Sequence, residues 1–147
     1  MKIYACVLVA ASIIVYGIYD YLKFKKNTLA IEEILSFIGV VANEIHYKNS
    51  SYPDLILSGK NQGYRFISFS EENISVNCDI ENIKNDFAYF TQCLGTTDIQ
   101  GQLSLCNEYT EKFRCNFDKR KVKEESSLQI NLSLSILCAL SVVVIFV

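Results

Sequence analysis

Apolar residues along the chain fall into three regimes. Residues 3–19 (IYACVLVAASIIVYGIY) and 130–147 (INLSLSILCALSVVVIFV) are dominated by apolar side chains and contain no Asp, Glu, Lys or Arg. As helices they would be roughly 25–27 Å long, close to the ~30 Å of a bilayer core. Tyr4 at one end of the first run, and Tyr16, Tyr19 and Tyr21 at the other, would extend it as interfacial anchors. A cleaved leader is the weaker reading, because the positive region is only Met1-Lys2 and no A-x-A-like site precedes Asp20. A buried core helix is the weaker reading for the second run, since so short a chain has little else with which to surround it.

Between the two runs the apolar period is helical. Ile31, Ile34, Leu35, Ile38, Val41, Ala42 and Ile45 recur at steps of three and four, which marks one buried face. Only Gly17 and Gly39, and no proline, interrupt residues 3–47, so the first apolar helix is expected to continue without a break as far as Asn49-Ser50-Ser51. Pro53 then suits the first turn of a short helix over 54–57 that ends at Gly59. Residues 64–69 fit strand or helix by pattern and are assigned helix from their neighbours. Asn77 or Asp79 is expected to cap the next helix, whose stripe is Ile80, Ile83, Phe87, Phe90 and Leu94, with Gly95 as the left-handed residue that ends it. Thr97-Asp98-Ile99-Gln100 reads as a capping box, with Thr97 and Gln100 as its reciprocal side chains. Ile99, Leu103, Cys106, Tyr109, Phe113 and Phe117 extend the last stripe. One helix running from Asp98 through the second apolar run is favoured over a break at Ser126-Ser127.

Composition sharpens this picture. Six glycines and one proline in 147 residues exclude collagen-like and many-turned β architectures. A net charge of −2 supplies no field for a nucleic-acid backbone, so no nucleic-acid partner is expected. Lys23, Lys25 and Lys26 follow the first run, and Lys119, Arg120, Lys121 and Lys123 precede the second. This bias places the middle of the chain in the cytoplasm. The six cysteines include no C-x-x-C pair, and a reducing cytosol would keep them as thiols. Their spacing, with His46 as the single histidine, matches no zinc pattern. There is no G-x-x-x-x-G-K-[ST] loop and no G-x-S-x-G serine. Adjacent acids such as Glu32-Glu33 point about 100° apart on a helix and read as solvated faces. Catalytic residues, cofactors, metals and a small-molecule substrate are therefore not expected.

The fold expected is all-α: a membrane-anchored helical hairpin with transmembrane helices at residues 1–22 and 129–147 and a cytoplasmic helical domain over 23–128. Asn131, Ser135 and Ala139 lie four apart on one face of the second span, where small and polar residues let another helix approach.

The layout resembles the stage III sporulation protein AB family of endospore-forming bacteria, relatives of the type II secretion F-type platform proteins. The residues that carry the resemblance are Glu44-Ile45-His46-Tyr47 followed by Pro53, and above all Leu94-Gly95-x-x-Asp98-x-x-x-Gln102, joining the penultimate helix to the long final one. The stretch over 54–77 is shorter and more polar-aromatic than the family pattern. The resemblance implies a non-enzymatic component of the mother-cell to forespore channel, seated in the mother-cell membrane around the forespore. Its implied partners are the lipid bilayer, a cytosolic secretion-type ATPase like stage III sporulation protein AA, and other channel membrane subunits. A generic two-span adaptor of another complex, and a thiol- or metal-dependent enzyme using Cys93 or Cys106 with His46, are the rival readings.

Overall fold

In the computed structural model, the backbone is described for residues 2–48, 52–70 and 73–146. Side chains are described within these ranges except at 2–10, 48, 123–125, 127–129, 131, 132, 139 and 142–146. The elements are α1 (Lys2–Lys48), α2 (Tyr52–Gln62), β1 (Ile67–Phe69), β2 (Ile74–Val76), α3 (Glu81–Cys93) and α4 (Ile99–Phe146). The protein is mostly helical, and α1 and α4 are each unbroken, as the scarcity of glycine and proline requires. The helix stop expected at Asn49-Ser50-Ser51 lies outside the described residues. So do the side chains of much of both expected membrane spans. Among the described residues, no helix is long and apolar enough to cross a membrane.

The chain divides into two compact units: residues 26–118 form one, and residues 1–25 with 119–147 form the other. The unit of residues 26–118 has a continuous apolar core. α1 supplies Ile31, Ile34, Ile38, Val41 and Ile45, as its period predicts, together with Ala30 and Phe37. α3 supplies Ile83, Phe87 and Phe90, and α4 supplies Cys106, Tyr109 and Phe113. Phe37, Phe87, Phe90 and Phe113 are wholly buried, each worth about 2–3 kcal/mol of apolar transfer. Their rings form a connected series: Phe37 lies 6.0 Å from Phe87, and Phe90 5.4 Å from Tyr109. Asp86 pairs with Lys112 at 2.8 Å while Phe90 meets Tyr109, so α3 and α4 run antiparallel. Ile99, expected to open the α4 stripe, is 45% exposed; the buried α4 residues of the core begin at Cys106.

Three local expectations are corrected. Residues 67–69 form a strand, not a helix: β1 pairs antiparallel with β2 in the register Ile67↔Val76, Ser68↔Ser75, Phe69↔Ile74. The cause is the period-2 alternation of Ile-Ser-Phe and Ile-Ser-Val, which buries Ile67, Ile74 and Val76 and exposes both serines. Next, α2 does not stop at Gly59. It continues to Gln62, and Gly63 at φ 69° takes the left-handed position after it. Gly59 instead lies buried beneath the Phe69 ring, where any Cβ would overlap it. Finally, neither Asn77 nor Asp79 caps α3. The cap position is Ile80, with no side-chain hydrogen bond. Asn77 donates its N–H to the Phe66 carbonyl at 2.7 Å, extending the hairpin ladder. Asp79 donates its N–H to Asn27 Oδ1 at 2.9 Å and turns its carboxylate to Lys26 at 3.7 Å.

Candidate docking turn and helix-packing contact

The Leu94–Gln102 segment is built as a tight helix-to-helix turn. Leu94 closes α3 in extended conformation and is buried, and Gly95 follows at φ 80°, a conformation open to glycine. Thr96 donates both its N–H, at 3.3 Å, and its hydroxyl, at 2.7 Å, to the Cys93 carbonyl, satisfying an end-of-helix acceptor. Asp98 begins α4: its Oδ1 accepts the Gly101 N–H at 3.0 Å and its carbonyl accepts the Gln102 N–H at 2.9 Å. Gln102 Nε2 donates back to the Thr97 carbonyl at 2.8 Å.

The expected Thr97–Gln100 capping box does not form, and a box shifted by one residue would end on Gly101, which has no side chain to return the bond. Asp98, not Thr97, is the cap, because a carboxylate is the stronger acceptor at a helix N-terminus. Gln102, not Gln100, folds back on the turn, and its amide donates to the Thr97 carbonyl instead of accepting a backbone N–H. All four residues of the Leu94-Gly95-Asp98-Gln102 motif act within this turn. Sequence reading missed Gly101, where a Cβ would lie 2.8 Å from Asp98 Oδ1 and 3.0 Å from Thr97 Cβ. A glycine three residues after a cap aspartate was the available signal.

Beside the turn is a shallow groove of about 240 Å³ lined by Tyr52, Asn73, Thr91, Gln92 and Leu94. Thr91, the buried polar residue there, donates its hydroxyl to the Ala88 carbonyl at 2.9 Å. A second open groove, about 380 Å³, has Leu29, Glu32, Glu33, Ser36, Tyr64, Arg65 and Phe66 along it. Glu33 is not a merely solvated acid. It accepts the backbone N–H of Phe66 at 2.8 Å and of Arg65 at 3.2 Å, fixing the chain as it approaches β1.

In the unit of residues 1–25 and 119–147, Ser135 lies against Gly17, whose missing Cβ would stand 3.3 Å from Ser135 Oγ. Of the predicted packing face, Ser135 thus makes a close helix contact. The side chains of Asn131 and Ala139 lie outside those described.

The thiols differ. Cys78 and Cys106 are buried, Cys93 is half-buried, and Cys115 and Cys138 are exposed. Burial pushes the Cys106 thiol up to about 11. His46 is exposed, with its ring against Tyr47 at 4.6 Å. Among the described residues, no group of three His, Cys, Asp or Glu is arranged to hold a metal ion. No protein-family model, curated protein or solved structure matches the chain.

Proposed function

We propose that the chain is a non-enzymatic membrane scaffold, with its terminal segments at residues 1–22 and 129–147 covered by lipid and residues 23–128 forming a cytoplasmic docking body. One observation carries this reading: large apolar side chains of the unit of residues 1–25 and 119–147 stand uncovered on both helices. Val15, Tyr16 and Ile18 of α1 are 64, 67 and 48% exposed, and Ile130, Leu134 and Leu137 of α4 are 63, 57 and 60% exposed. Apolar surface that dense requires a cover. The charge-free runs at 3–19 and 130–147 in the same unit make lipid the fitting one.

The resemblance to stage III sporulation protein AB supports the finer reading: a platform component of the mother-cell to forespore channel. In that role the chain docks a cytosolic secretion-type ATPase to the membrane subunits in the membrane around the forespore. The raised Cys106 pKa weighs against the thiol-enzyme reading, since a catalytic thiol needs a lowered one. The turn motif has a sufficient structural role of its own, so a generic two-span adaptor is the second reading.

Two measurements decide. Resistance of the full chain to alkaline carbonate extraction, with release by detergent, is expected of lipid cover; release into the carbonate wash overturns it. Retention of the secretion-type ATPase of the same system on the immobilised full chain is expected of the platform role, and no retention leaves the adaptor.

A further inference from the structure

Cations flank the uncovered apolar surface on both helices of the unit of residues 1–25 and 119–147. On α1, exposed Tyr16, Tyr19 and Tyr21 are followed by exposed Lys23 and Lys25. On α4, exposed Lys119 and Lys121 and half-buried Arg120, the last two already engaged within the chain, precede the apolar residues that begin at Ile130, with Glu124 and Glu125 between them in the sequence. The Gly17–Ser135 contact sets a common reference. From it, Lys23 and Lys25 lie roughly 9 and 12 Å along α1, and Lys121 and Lys119 roughly 21 and 24 Å along α4. The cations therefore stand in two tiers. The nearer begins within one lysine side chain of the tyrosines, and the farther is about one Debye length beyond it at physiological salt.

We infer that these tiers recruit anionic phospholipid headgroups from the adjacent leaflet, the α1 lysines by direct contact and the α4 cations through the surface potential. The inference rests on the membrane reading above. The chain as a whole is net −2, but residues 1–25 and 119–147 carry seven Lys or Arg against three Asp or Glu, so the attraction to an anionic surface comes from this unit. Lysine suits the task, because an ammonium on a flexible stem reaches a phosphate as a point charge without needing a fixed fork geometry. An array spread along two helices matches a sheet of headgroups rather than one free phosphate ion. Each cation near such a surface raises affinity several-fold.

The test uses the full chain in vesicles of phosphatidylcholine alone and of phosphatidylcholine with phosphatidylglycerol in equal amounts. Flotation reads membrane entry, and native mass spectrometry of the detergent-released protein counts bound lipids. From the mixed vesicles, phosphatidylglycerol adducts are expected to exceed phosphatidylcholine adducts roughly fivefold. The variant K23Q/K25Q/K119Q/K121Q brings the ratio near one while still floating. K119Q/K121Q alone loses a smaller share, and in wild type that share is the first to disappear as KCl is raised. Glutamine is as good a helix former as lysine, and unchanged far-ultraviolet dichroism checks that the fold is kept. Parity in the wild type, or an unchanged excess in the fourfold variant, overturns the inference alone. Failure of the wild type to float with phosphatidylcholine vesicles overturns the membrane reading and this inference with it.

Discussion

The carboxylate of Glu33, on α1, holds the backbone N–H of Phe66 at 2.8 Å, thirty-three positions away in sequence. Its other oxygen takes the Arg65 N–H at 3.2 Å. Two donors that would otherwise lack a partner in the protein thus enter β1 already satisfied, and the hairpin is pinned to the longest apolar face in the core. Bonds of this kind to a charged acceptor are worth more than neutral ones, though half-exposure tempers them. Glu33→Ala should lower the unfolding free energy by about 1–3 kcal/mol, and Glu33→Gln, which keeps one acceptor, by less. Urea unfolding of the full chain in detergent measures both. Equal midpoints for wild type and Glu33→Ala would show the contact to be energetically idle.

The α3–α4 turn allows its structural and docking roles to be separated. Asp98→Ala removes the cap and should cost about 1 kcal/mol, while Asp98→Asn keeps an acceptor oxygen and should be near neutral in stability. Gly101→Ala is the sharper test. In an open helix the exchange would gain up to about 1 kcal/mol. Here the new Cβ would meet Asp98 Oδ1 and Thr97, so the cap must give way and a net loss is expected. If Asp98→Asn leaves thermal unfolding unchanged but abolishes ATPase retention, the carboxylate charge serves the partner as well as the turn.

Much of this arrangement is legible in the chain because burial and helical period are local properties. The stripes from Ile31 to Ile45 and from Ile83 to Phe90 lie where the spacing puts them, and Gly95 takes the positive φ expected of it. What escapes is long-range. Ile-Ser-Phe and Ile-Ser-Val each alternate over three residues, too few to separate strand from helix until they pair with one another. Glu33 reads as a solvated acid because its partners belong to a distant loop, and Asn27 likewise meets Asp79 across 52 positions. The turn motif stands out through the family resemblance, whereas its chemistry, an aspartate cap with a glutamine reaching back, belongs to ordinary helix termini.

Gly59 illustrates a demand that only the assembled core reveals. A Cβ there would overlap the Phe69 ring, which is itself held edge-on to Phe37 at 5.6 Å. Gly59→Ala should therefore cost about 1–3 kcal/mol in place of the usual helical gain. Phe69→Leu vacates part of the ring volume, so the double variant should lose less than the sum of the two single ones. A double-mutant cycle by urea unfolding reads that coupling, and strict additivity would remove the steric account.

Alkaline titration tests the core from another side. Burial raises the Cys106 thiol from 9.0 to about 11, and burial likewise raises Tyr109, so the folded state disfavours both anions. For an acid whose folded pKa lies above its unfolded one, the stabilisation is complete below the unfolded pKa and is lost as pH rises through the folded one. Unfolding free energy should hence decline between pH 9 and 11, with Cys106 contributing on the order of 2 kcal/mol. Cys106→Ala should flatten most of that slope and leave the part that sets in near pH 10 from Tyr109. The same burial protects the thiol from reagents. At pH 8, maleimide should label exposed Cys115 well before Cys106, and peptide mass mapping with time gives the order. Labelling of Cys106 as fast as Cys115 in the folded chain would mean that the α4 face is not sealed against α1 and α3 in solution.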